Sequence, residues 1–140
     1  MRKGIQLAAA LLLLLTAGAA MATSRSQARA LTDTQALYAA AVRWNDFDGA
    51  GEMVDPAYRL AHPQTDLERA RYEQVQISGY RELRANSSVE GEVEREVEFR
   101  VVNRNTQAER IVRARETWHW DPEAKHWWLA SGLPDLWKGE

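Results

Sequence analysis

Two charged residues, Arg95 and Glu116, stand where an apolar pattern calls for hydrocarbon. Over residues 89–102 the chain alternates strictly, with Val89, Val93, Val97, Phe99 and Val101 on one face and Glu90, Glu92, Glu94, Glu96, Glu98 and Arg100 on the other. That is the signature of a long, half-buried β-strand. Residues 107–120 pair with it if Arg104 and Asn105 form a tight turn, which sets Val97 against Val112, Val101 against Ala108, Glu96 against Arg113 and Glu94 against Arg115. A slip of one residue would set Arg95 against Arg113 and Phe99 against Glu109, so pattern and charge agree on this one register. In this register Arg95, opposite Ala114, and Glu116, opposite Val93, are diagonal neighbours on the inward face. A charge on a core face must be paired or wet. The two residues therefore read either as a structural ion pair or as a ligand-binding patch in which Arg95 holds an anion and Glu116 orients it. Arg110, opposite Phe99, belongs to the same wall or snorkels to water.

Aromatic residues are the second feature. Trp118, Trp120, Trp127 and Trp128 fall in one hairpin, while Trp44 and Trp137 lie elsewhere. If the turn at Pro122 pairs Trp120 with Trp127, then Trp118, Trp120 and Trp127 point into the core and Trp128 points out beside His119. His119, Trp128 and Trp137 are thus the candidates for a contact surface, because tryptophan suits the border between an apolar body and a polar rim. His62, His119 and His126 lack metal-ligand spacing, and the glutamate row is too spread along a flat strand to collect calcium. Neither a nucleophile motif nor a Gly-rich phosphate loop is present. Accordingly no catalytic residue, metal ligand or cofactor is assigned; Tyr38, Tyr58, Tyr72 and Glu116 are the groups an acid–base enzyme would have to use.

The elements that must position these residues can be read in outline. Residues 1–22 carry Arg2 and Lys3, an apolar stretch with Leu11 to Leu15, and small residues ending Ala20-Met21-Ala22, the pattern of an export signal cut before Thr23. Residues 23–30 read as a flexible tether and residues 31–140 as a single domain. There is no cysteine, so an exported domain of this kind must be held by its core alone. The chain has 140 residues and a net charge of −2, which becomes more negative once Arg2 and Lys3 are removed. Nucleic acid and anionic membrane surfaces are therefore excluded as expected partners. A helix is expected from a capping box at Thr32 to Gln35, with Leu37, Tyr38, Ala41, Val42 and Trp44 as its apolar face. Residues 45–51 break it, and a short helix follows through Glu52, Met53 and Val54 to a stop at Asp55-Pro56. Residues 72–83 form a strand with a bulge at Gly79, Asn86-Ser87 turns into the long strand, and residues 125–131 return from a turn at Asp121-Pro122. Helices followed by about four antiparallel strands define an α+β fold with the helices on one sheet face.

Tyr38, the run Trp44-Asn45-Asp46-Phe47-Asp48, the run Met53-Val54-Asp55-Pro56 and the terminal antiparallel meander together resemble the nuclear-transport-factor-2-like superfamily, which includes ketosteroid-isomerase-like enzymes. The likeness covers residues 31–137. It implies a cone in which a curved sheet wraps on helices around a pocket; the acid with His or Tyr that the family's enzymes set on the pocket wall is not matched to residues here. Three functions follow as expectations. The first is an exported, periplasmic or secreted, non-catalytic module binding a small ligand or a protein; the alternatives are a small isomerase or dehydratase and a scaffold subunit of an envelope assembly. Expected partners are a small ligand, a protein or a second copy through the sheet, with no stable membrane insertion after cleavage. Intact-mass measurement of the extracted protein checks the export reading: the mature chain is expected to begin near Thr23, and retention of residues 1–22 in a membrane fraction would replace it with an anchored one.

Overall fold

The computed structural model describes residues 25–137, so the export signal expected over 1–22 lies outside the described residues. The first helix, α1, covers residues 25–43. It begins before Thr32, and the described part of the expected tether is helical. Thr32 lies inside the helix, where its hydroxyl donates to the carbonyl of Ala28 at 3.1 Å instead of capping an N-terminus. Helix before Thr32 has a tertiary cause: the indole of Trp127 donates to the carbonyl of Gln27 at 2.9 Å, fixing this part of α1 against the sheet. Thr34, Tyr38 and Val42, at helical spacing, form the buried stripe of α1.

The end of α1 is joined to the sheet by one side chain. Asn45 has φ 60°, a left-handed conformation that Asn tolerates better than most residues. Its amide donates to the carbonyl of Val75 at 2.6 Å and accepts from the N–H of Ile77 at 2.8 Å, much as a neighbouring strand would. Asp46 then caps α2 (Phe47–Gly51) by accepting from the N–H of Gly49, so this helix forms earlier than the expected turn through Glu52 to Val54. Asp55-Pro56 starts a helix instead of stopping one: Asp55 caps α3 (Pro56–Ala61) and Pro56 occupies the first turn, where its missing N–H is not needed. Thr65 and Glu68 form a full capping box on α4 (Asp66–Glu73).

The sheet is four-stranded and antiparallel, in the order β1 (Val75–Val89), β2 (Glu92–Asn103), β3 (Glu109–Asp121) and β4 (His126–Leu129). With the helices N-terminal to it, the architecture is α+β. The bulge at Gly79 is present, as the register of β1 on β2 shifts between Ile77 and Gly79. The first hairpin turn lies at Glu90-Gly91 and not at Asn86-Ser87, because Val89 pairs with Glu92 and Gly91 supplies the φ of 74° that so short a connection requires.

The β2–β3 hairpin keeps the expected faces but not the expected partners. Val97 faces Ala114, Phe99 faces Val112, Glu98 faces Arg113 and Glu96 faces Arg115, a shift of two residues. The tight turn at Arg104 and Asn105 is replaced by a longer one. There the Asn103 side chain accepts from the N–H groups of Asn105 and Thr106, the Asn103 N–H donates to the carbonyl of Ala108, and Gln107 takes φ 61°. Asn side chains commonly build such turns. Trp120 does pair with Trp127, across the turn in which Asp121 accepts from Glu123 and Ala124.

Between α1 and the sheet lies the core, with Tyr38, Val42, Val97, Phe99, Val101, Trp118 and Leu129 among its buried members. Tyr38 meets Trp118 edge-on at 5.4 Å and Tyr80 at 6.2 Å. Both sheet edges are guarded. The register of β1 shifts at three places, which breaks its value as a template, and β4 is bridged by Val54 through its partner Leu129.

Asn45 generates a stability test. Asn45→Ala loses two hydrogen bonds at a partly buried site and leaves alanine with φ 60°, and is expected to destabilise by about 2 to 4 kcal/mol in urea unfolding. Asn45→Gly, which accepts that φ, isolates the hydrogen bonds; equal stability of Asn45→Gly and wild type would show that they contribute nothing.

Candidate functional site

The shifted hairpin register places Arg95 directly opposite Glu116, so the two residues expected to be diagonal neighbours face one another. Trp118 follows Glu116 by two positions on the same face of β3, and Tyr80 reaches the pair from β1. Arg95 donates through Nε to Glu116 at 2.6 Å, through Nη2 to the Tyr80 hydroxyl at 2.7 Å and through Nη1 to Glu82 at 3.4 Å. Tyr80 passes its own proton toward Glu116 at 2.9 Å, and the Trp118 indole donates to the same carboxylate at 3.3 Å. The guanidinium also lies 5.6 Å from the centre of the Trp118 ring and 5.9 Å from that of Tyr80.

Arg95 is 6% exposed and Glu116 3%, and their hydrogen-bonding capacity is directed at each other and at Tyr80, Glu82 and Trp118. Burial works against the Arg95 cation, but the Glu116 charge and the Tyr80 hydroxyl outweigh it and hold the guanidinium charged. Burial likewise raises the Tyr38 and Tyr80 hydroxyls above their ordinary range, and the nearby Glu116 charge adds to this. These groups form a closed lock between three strands. Arg110 does not join it: it sits opposite Val101 and donates to the carbonyl of Leu136.

The expected contact residues divide in the same way. His119 and Trp128 are partners across β3 and β4; His119 reaches Asp55 at 3.4 Å, and Trp128 stands edge-on to His126 with their ring centres 4.3 Å apart. Trp137 lies apart from them. It meets Tyr72 edge-on at 4.9 Å beneath the Arg71 guanidinium at 5.7 Å.

Trp137 instead lines an open cleft that sequence reasoning missed. The cleft has a volume of about 410 Å³ and is built from four pieces: Gly51 and Val54 at and after the end of α2, Tyr58, Arg59 and His62 of α3 and its C-cap, Gln64, Glu68, Arg71 and Tyr72 on and around α4, and Leu133, Pro134, Asp135 and Trp137 from the C-terminal segment. Its size falls in the range of small-molecule sites. Tyr58 stacks on His62 with ring centres 4.4 Å apart. On the other side of Tyr58 the chain passes at Gly132, whose φ is 74°; a Cβ there would lie 2.5 Å from the tyrosine ring. The Tyr72 hydroxyl donates to the carbonyl of Pro134 at 2.7 Å, tying the C-terminal segment to α4. Burial is the main reason its pKa is raised, and Asp135 adds to the shift. Asp55-Pro56 read as a helix stop and the capping box of Thr65 and Glu68 was not singled out, although both motifs start helices here; nothing local to them shows that Trp137 closes the space between.

A double-mutant cycle tests the lock. Glu116→Ala strands a buried guanidinium and is expected to cost about 3 to 5 kcal/mol, more than Arg95→Ala combined with Glu116→Ala. Coupling near zero in chemical denaturation would show that the two charges act independently.

Compared with known proteins, the chain matches no family model, no curated protein and no solved structure.

Proposed function

We propose that this chain is a non-catalytic binding module that holds a small ligand in the cleft between α3, α4 and residues 132–137. The observation that carries the reading is the cleft itself, about 410 Å³ with aromatic walls from Tyr58, Tyr72 and Trp137 and with Arg59, His62 and Gln64 at its polar positions. The Arg95–Glu116 pair supports it by contrast, since those charges are occupied with one another and shielded from water. Binding is favoured over turnover because three of the cleft's proton-carrying side chains are engaged within the fold, His62 through Nδ1 with the carbonyl of Tyr58 at 3.3 Å. Glu68 accepts from the N–H and hydroxyl of Thr65, and the Tyr72 hydroxyl donates to Pro134. Helices that precede an antiparallel sheet and pack on it support the nuclear-transport-factor-2-like likeness as part of this proposal, and the signal-like residues 1–22 support export to the periplasm or beyond.

Amide chemical-shift mapping with a mixed library of small fragments tests the proposal. Shifts are expected to cluster on α3, α4 and residues 132–137, and Trp137→Ala is expected to weaken the best fragment about tenfold. Fragments that perturb only other surfaces, or none that bind, would overturn it.

A further inference from the structure

Resting on that reading of the cleft, we infer that its ligand is an organic anion: a carboxylate carried on an aromatic or apolar body. Arg59 and Arg71 both line the cleft, and neither makes an ion pair with a carboxylate among the described residues. The two acids on the same lining are differently placed. Glu68 turns its carboxylate to Thr65 at 2.7 and 3.0 Å, and one oxygen of Asp135 accepts from the N–H of Trp137 at 3.0 Å. Glu68 feels the Arg71 charge without reaching ion-pair distance, so both guanidinium groups keep N–H donors for a ligand while the acids are partly engaged by Thr65 and the Trp137 backbone.

Arg71 has the geometry that such recognition uses. Its guanidinium carbon lies 5.7 Å from the centre of the Trp137 ring, a cation–π distance that needs none of its N–H donors. A planar fork of this kind matches the two oxygens of a carboxylate, and the ring contact favours fewer orientations than a free side chain would sample. Beside it, Tyr58 is held between His62 and the backbone at Gly132, presenting a fixed apolar wall for the ligand's body. The guanidinium that the sequence offered for anion binding, Arg95, is sealed by Glu116, and the anion site moves to Arg59 and Arg71.

Phenylacetate and its neutral counterpart 2-phenylethanol, titrated into the folded mature protein with amide shifts as readout, separate the contributions. Phenylacetate is expected to bind at the cleft about tenfold more tightly than 2-phenylethanol, with an affinity that falls as salt rises. Arg59→Gln and Arg71→Gln, each checked to give a native-like amide spectrum, are expected to weaken phenylacetate about tenfold and leave 2-phenylethanol unchanged. Equal binding of the two probes, or loss of neither with the Gln variants, would overturn the anion inference while leaving the cleft as a binding site. Failure of every fragment in the library to reach the cleft would instead overturn the functional reading and this inference with it.

Discussion

A guanidinium and a carboxylate face each other across the middle of this fold, and most of its specificity follows from that meeting. The apolar alternation of β2 and β3 decides which faces turn inward, but it is indifferent to a slip of two residues, which keeps every side chain on its own face. Such a slip puts Arg95 opposite Ala114 and leaves two charges on a core face without a direct partner. The observed register sets Arg95 against Glu116 and lets Tyr80 and Trp118 complete the hydrogen bonding of both. A buried ion pair adds little net stability compared with packed hydrocarbon, but misalignment is heavily penalised. Here that penalty distinguishes between registers that hydrophobicity alone treats as equal. The outer face follows suit, with Arg81 and Arg113 both on Glu98 and Arg115 on Glu94.

How far the sequence could be read follows from the range of each signal. Period-two alternation is local and strong, so the long strands, their inward faces and the α+β class were legible, as was the pairing of Trp120 with Trp127. The bulge at Gly79 was legible too, because glycine in a strand marks such a place. The turn at Asp121-Pro122 was legible, but the two before it were not. Asn86-Ser87 has turn chemistry but lies within β1, and Gly91, four residues on, has the backbone freedom a tight connection needs. The start of α1 was misjudged for another reason: Thr32 fits an N-cap locally, while the turns before it are held by a contact with Trp127, distant in sequence.

The cleft illustrates the limit most sharply. Its walls come mainly from α3 and its C-cap, from α4 and from the last described residues, and each piece taken alone looks ordinary: a Tyr and a His one helical turn apart, a capping box, a Trp near the C-terminus. Exposure could not be read from periodicity: Arg95, singled out for an anion, is buried against Glu116, whereas Arg59 and Arg71 line the cleft. An arginine that breaks an apolar pattern draws notice because it is buried, and for the same reason it is matched within the fold.

Gly132 and Tyr58 depend on each other. The ring of Tyr58 occupies the space a side chain at 132 would need, and the backbone at 132 adopts a φ that few residues other than glycine accept. A chain of the same architecture carrying a larger residue at this point must surrender the aromatic wall or rebuild the segment that follows. Glycine at this corner together with tyrosine in the first turn of α3 is thus a two-position fingerprint by which other chains with this cleft can be sorted from those sharing only the sheet.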